Sequence, residues 1–220
     1  MEHTFWHNKW EQKQIGFHLP DIHPLLVRNL PLLELQPGQQ VFVPLCGKTL
    51  DIGYLLKQGL QVVGVELSET AVQELFVELQ LEPQISDWPL KEEGTGKLYQ
   101  AENIRVFVGD YFELSAADLG KIAAVYDRAA LIALPEVMRQ DYAKHMGKIT
   151  GYAPQLLITL EYDQAVMSGP PFSVTAAEVE GLYGGTYPIQ KIAASDIIEH
   201  EPHFASKGLN SMLQAVYRLK

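Results

Sequence analysis

Residues 39–69 read "QQVFVPLCGKTLDIGYLLKQGLQVVGVELSE". Two short apolar runs, "VFVPL" and "QVVGVEL", flank the helical stretch "TLDIGYLLKQG", which ends on Gly59. Continuous apolar runs of that length suit strands buried on both faces, as in a parallel sheet. A strand–loop–helix–strand crossover places its first loop, here "PLCGKTLD", at the carboxyl end of the sheet, where open α/β folds bind ligands.

The loop rejects two phosphate chemistries. "CGKT" resembles the end of a triphosphate-binding loop, but that motif needs a glycine five residues before "GK", where Phe42 stands. A pyrophosphate cradle needs G-x-G-x-x-G after the first strand, and it is missing. What remains is Glu66, the acidic residue that ends the second strand. In such crossovers a carboxylate there meets ribose hydroxyls. An adenosine ligand without a phosphate chain needs this carboxylate and no dense nest of amides. S-Adenosyl-L-methionine is such a ligand.

The rest of the chain continues the alternation. "FWHNKWEQK" reads as a short helix. "DIHPLLVRNLPLLEL" reads as a helix with Asp21 as N-cap, kinked or divided by Pro31. Ser68 caps "ETAVQELFVELQL". Residues 82–96 read as loop. "KLYQAENIRVFVGDYFEL" reads as a hairpin turning at Glu102-Asn103, "IAAVYDRAAL" and "QLLITLEYD" as buried strands, and "PEVMRQDYAKHMGKI" as a helix opened by Pro135. Thr175, with Glu178 in a capping box, starts the helix "TAAEVEGLYGG". "YPIQKIAAS" and "SMLQAVYRLK" close the chain as an antiparallel pair. Strands alternating with helices indicate one doubly wound α/β domain over residues 1–220.

Composition narrows the function. The net charge is −10, which argues against nucleic acid and against an anionic membrane surface as partners. A single cysteine, Cys46, excludes a disulfide within the chain and favours a reducing compartment. The N-terminus lacks the apolar core of a signal segment, and no apolar run reaches the ~18 residues of a membrane span. A cytoplasmic monomer is the expectation. The seven histidines lack zinc-type spacing with cysteine, so no metal site is expected.

Four stretches together resemble the bacterial thiopurine S-methyltransferases: "FWHNKWEQKQIGFH", "VPLCGKTLDIGYLLKQGLQVVGVELSE", "YDRAALIALP" and "GPPFSV". The resemblance implies a class I, Rossmann-like fold with a mostly parallel seven-stranded sheet and an antiparallel C-terminal strand. It implies S-adenosyl-L-methionine as cofactor and methyl transfer to the sulfur of aromatic or heterocyclic thiols, with selenium or tellurium compounds as further acceptors. It places cofactor contacts on Trp10, Leu45, Glu66 and Arg128, and Trp6 in a segment of residues 1–20 that covers the site. It sets Asp110 and Tyr111 beside the adenine and Phe17 at the substrate. Where mammalian members carry a second substrate-side arginine, His203 of "EPHFASKG" is the nearest match.

Each of these residues also has a plainer reading. Trp6 and Trp10, four apart on one helix face, suit core packing, although they lie in an otherwise polar terminus. Leu45 is an ordinary strand-end hydrophobe on spacing alone. Cys46 reads as a small buried hydrophobe. Lys48 is a helix-start cation or a loop anchor. Asp127-Arg128 closes a buried strand, either as a local salt bridge or as a catalytic pair with Asp127 holding Arg128. The implied chemistry needs no strong base, because an aromatic thiol ionises near neutral pH. Arg128 would favour the anionic acceptor. Two other functions compete, a nicotinamide-dependent oxidoreductase and a non-catalytic sensor of an adenosyl ligand.

Overall fold

The computed structural model describes residues 3–16, 18–90 and 94–220. Its elements run α1 (His3–Glu11), α2 (Pro24–Asn29), β1 (Gln40–Val43), α3 (Asp51–Lys57), β2 (Gln61–Glu66), α4 (Glu69–Glu78), β3 (Gln84–Pro89), β4 (Thr95–Ala101), β5 (Ile104–Val108), α5 (Ala116–Leu119), β6 (Ala124–Arg128), α6 (Glu136–Thr150), β7 (Gln155–Glu161), α7 (Ala176–Tyr183), β8 (Ile189–Asp196), α8 (Pro202–Ala205) and β9 (Leu213–Leu219). One sheet holds the strands in the order β3-β4-β5-β2-β1-β6-β7-β9-β8. From β5 to β7 neighbouring strands are parallel. At both edges they are antiparallel.

β5 through β8 in that order make the expected seven strands, and β3 and β4 extend them. β3 lies in the stretch expected to be loop. Only Trp88 of its residues is buried, so the strand carries no apolar alternation for a pattern to detect. Pairing with β4 makes it a strand. The N-cap of α2 also differs from expectation. His23, rather than Asp21, caps the helix, with Nδ1 accepting the Leu25 amide at 3.2 Å. Pro24 is the reason, since a residue before proline is held extended and the helix cannot begin earlier. At Pro31 the helix passes into a 3₁₀ turn, Leu30–Leu33. Ser68 caps α4 as expected, its Oγ accepting from the Ala71 amide. Thr175 caps α7, but the Glu178 carboxylate turns to Arg139 at 2.6 Å instead of closing a capping box.

Alternation along the central strands feeds a core on each face. Val41 and Val43 pack with Ile52, Leu55, Val72 and Leu75. Phe42, Val63 and Val65 face Tyr142, Met146 and Val179 on the other side. The strand order reverses between β1 and β6, which opens a crevice at their carboxyl ends.

Candidate active site

That crevice is a cavity of about 660 Å³. The loop after β1 forms its floor. Leu45 and Gly47 both have left-handed backbone, at φ 44° and 52°. The turn is tied to β2 by the Cys46 amide, which donates to the Val65 carbonyl at 3.0 Å. Glu66 then closes the floor. Its Oε2 accepts the Gly47 amide at 2.9 Å and its Oε1 the Ser68 amide at 2.9 Å. Burial pushes the Glu66 carboxyl above its usual pKa, while the amides of Ser68, Gly47 and Leu67 pull against that rise. A carboxylate has about four lone-pair positions, so with these three amides around it Glu66 retains capacity for a further donor from the cavity.

The wall opposite comes from β6. Side chains alternate along a strand, so Tyr126 and Arg128 share the cavity face while Asp127 points into the opposite core. Asp127 is fully buried, accepting from the Tyr142 hydroxyl at 2.7 Å and the Leu131 amide at 3.1 Å. Burial raises its pKa to about 6, against the hydrogen bonds from Tyr142, Leu131 and Ala130. The expected Asp127–Arg128 ion pair is therefore not made. Instead Asp127 holds the turn that follows Arg128, where Ala129 is forced to φ 63°.

Asp51, at the start of α3, completes this wall. It is 1% exposed and accepts from the Tyr126 hydroxyl at 2.9 Å and from the His23 amide at 2.7 Å. Lys48 is a loop anchor, bonded to Glu78 at 2.7 Å and Glu74 at 3.2 Å. Burial alone would lower the Lys48 pKa, but those two carboxylates hold it above its usual value. Glu74 also binds Lys13, which links the N-terminal segment to α4.

The N-terminal helix roofs the cavity. Trp10 is 2% exposed, and a Cβ added to Gly47 would stand 3.0 Å from its ring. Trp6 and Phe5, edge-to-face at 5.2 Å, line the same space. Ile132, Leu160, Pro170, Pro171, His203 and Phe204 line the cavity as well. Cys46 behaves as a packing residue. Its Sγ lies 2.9 Å from where a Gly64 Cβ would be, and burial, with the charge of Glu66, keeps its thiol protonated.

A family model described as thiopurine S-methyltransferase matches residues 1–220. The chain belongs to the thiopurine S-methyltransferase family. A member from Pseudomonas fluorescens (strain Pf0-1) is 44% identical over 220 residues, covering 100% of this chain and 99% of the relative. One from Teredinibacter turnerae is 52% identical over 190 residues, 86% of each chain. Among solved structures, a 1,6-didemethyltoxoflavin-N1-methyltransferase from Burkholderia thailandensis, with bound S-adenosylhomocysteine, superposes at a TM-score of 0.64 with 14% identity, covering 99% of this chain and 87% of that one. A SAM-dependent methyltransferase from Anabaena variabilis reaches 0.63, also at 14%, covering 99% and 95%. At that identity the likeness concerns the fold.

In this family member the cavity gathers Trp6, Trp10, Leu45, Glu66, Arg128 and His203. Phe17 lies outside the described residues. Asp110 caps a 3₁₀ turn beside the end of β5, its Oδ1 accepting from the Phe112 amide at 2.9 Å. Tyr111 points inward, 1% exposed, and donates to the Tyr142 carbonyl at 3.1 Å. Neither side chain lines the cavity. Asp51, Tyr126 and His23 were missed by reading the chain alone. Strand alternation in "YDR" was the available signal for Tyr126, since it sets 126 beside 128 and 127 opposite.

Proposed function

We propose that the chain transfers a methyl group from S-adenosyl-L-methionine to the sulfur of aromatic and heterocyclic thiols, the activity that gives its relatives their name. The observation that carries this reading is the Glu66 arrangement. A buried carboxylate, held through both oxygens by backbone amides, faces a loop with a single left-handed glycine under a tryptophan. Such a site suits a diol next to an aromatic and thioether-bearing ligand, and offers no nest for a pyrophosphate. That removes support from the oxidoreductase alternative.

When bound, the cofactor supplies a methyl group on a sulfonium. Glu66 would hold the ribose hydroxyls, and Leu45, Gly47 and Trp10 would pack the adenosyl part. A thiolate acceptor is negative and the sulfonium positive, so charge is lost as the methyl passes between sulfurs. A transition state less polar than its reactants gains from a dry wall, which Trp10, Leu45, Ile132, Leu160, Pro171 and Phe204 provide. Arg128 draws the acceptor in as its anion. Asp127 acts through the turn it holds and touches no substrate.

Residues 1–220 work as one domain, with residues 1–20 as the cover, in keeping with the two cores that share one sheet. A reducing compartment such as the cytoplasm fits a chain whose one cysteine, Cys46, is buried and unpaired, and we take the chain to act as a monomer. No helix among the described residues is long and apolar enough to cross a membrane. The test is a radiolabelled methyl-transfer screen across aryl and heteroaryl thiols. Label in the thioether product is expected. Tight binding of S-adenosylhomocysteine with no transfer to any thiol would make the chain a sensor.

A further inference from the structure

His23 is a polar residue of the cavity wall that the chemistry above leaves unused. It is 4% exposed and fixed at two points. Its backbone N–H donates to Asp51 at 2.7 Å, and its Nδ1 accepts from the Leu25 amide at 3.2 Å. With Nδ1 engaged as an acceptor, the neutral ring carries its proton on Nε2. Among the described residues Nε2 has no hydrogen-bond partner. Burial, and then the charge of Arg128, push the imidazole pKa down to about 4 against the pull of Asp51. The ring is therefore uncharged at neutral pH. The cavity thus holds, within reach of the charge of Arg128, an anchored imidazole whose N–H cannot release a second proton.

We propose that His23 is a specificity residue, whose Nε2–H bonds the ring nitrogen adjacent to the sulfur-bearing carbon of a heterocyclic thiolate. This rests on the methyltransferase reading above and narrows its acceptor class. In such an anion the negative charge is shared between the sulfur and that nitrogen, so both are nucleophiles. Arg128 attracts the anion without choosing between them. A neutral donor on the nitrogen leaves the sulfur free to attack. A new C–S bond then forms at the methyl carbon as the sulfonium–methyl bond breaks, and that bond's electron pair stays on the departing thioether. A protonated imidazole in the same place would give its proton to the nitrogen and weaken the nucleophile.

The test compares 2-mercaptopyridine, whose nitrogen adjoins the C–S carbon, with 4-mercaptopyridine and thiophenol. Each rate is corrected for that thiol's uncatalysed methylation. The wild type is expected to favour 2-mercaptopyridine and to yield only the S-methyl product. Asparagine at position 23 keeps an oxygen to cap Leu25 but lacks the reach of Nε2. His23→Asn should lower the 2-mercaptopyridine to thiophenol ratio of kcat/KM about tenfold, roughly the worth of one hydrogen bond. It should also let N-methyl product appear. Equal losses on both thiols, or a loss matched by weaker S-adenosylhomocysteine binding in calorimetry, would overturn the assignment. If His23→Asn does not fold, a wild type with no preference for 2- over 4-mercaptopyridine overturns it alone. A wild type that binds S-adenosylhomocysteine and methylates none of the three thiols overturns the parent reading, and this one with it.

Discussion

The Tyr142 hydroxyl donates to Asp127 Oδ2 at 2.7 Å, and both residues are completely buried. The carboxyl pKa is raised to about 6, chiefly by burial, so the folded chain binds this proton more tightly than the unfolded one. Stability from this group is fully present below the ordinary Asp value of about 4. It is lost as pH rises through about 6. Asp127→Asn removes the titration. Urea midpoints for both proteins at stepped pH should give a wild-type-minus-variant difference that falls between about pH 4 and pH 6 and is flat above. A difference that is flat throughout would mean the carboxyl keeps its ordinary pKa.

Glu66→Ala should weaken S-adenosylhomocysteine binding by roughly 1.5–3 kcal/mol, the range for hydrogen bonds to a charged group. The loop also loses its clamp, because the Gly47 and Ser68 amides lose their acceptor. Titration calorimetry reads the change. Unchanged affinity would exclude the ribose assignment.

Gly47→Ala meets two obstacles, a backbone at φ +52° and the Trp10 ring at 3.0 Å. The left-handed backbone alone costs about 1–2 kcal/mol for a residue with a Cβ. A lower melting temperature and weaker cofactor binding should appear together. Trp10→Ala removes the clash but also a buried ring, so the double variant should lose less stability than the two single losses added together.

Arg128→Ala should reduce methyl transfer far more than cofactor affinity, and most for the least acidic thiols, which depend most on help in ionising. Arg128→Lys should recover part of the rate, because lysine keeps the charge without the planar fork. A graded series of aryl thiols at fixed pH and saturating cofactor decides this. A uniform loss matched by equal loss of cofactor affinity would confine Arg128 to the cofactor.

Much of the molecule was legible in local patterns. The runs "VFV" and "VVGVE", the cap at Ser68, the hairpin at Glu102-Asn103 and the terminal pair β8–β9 all reside in short stretches, where burial period and turn chemistry are local properties. The place of Glu66 at the cavity was legible too, because it follows from its position at the end of a strand in the crossover. Tertiary structure alone decided the rest. His23, Asp51 and Tyr126 come from three distant segments, and meet because β6 pairs with β1 on the side away from β2. Local periodicity does not encode strand order. Asp127 left Arg128 for Tyr142 because the two faces of β6 look into different surroundings, one a cavity and the other a packed core. Edge strand β3 and the inward turn of Tyr111 are likewise set by neighbours far along the chain, which supply the pairing and the burial that their own residues do not announce.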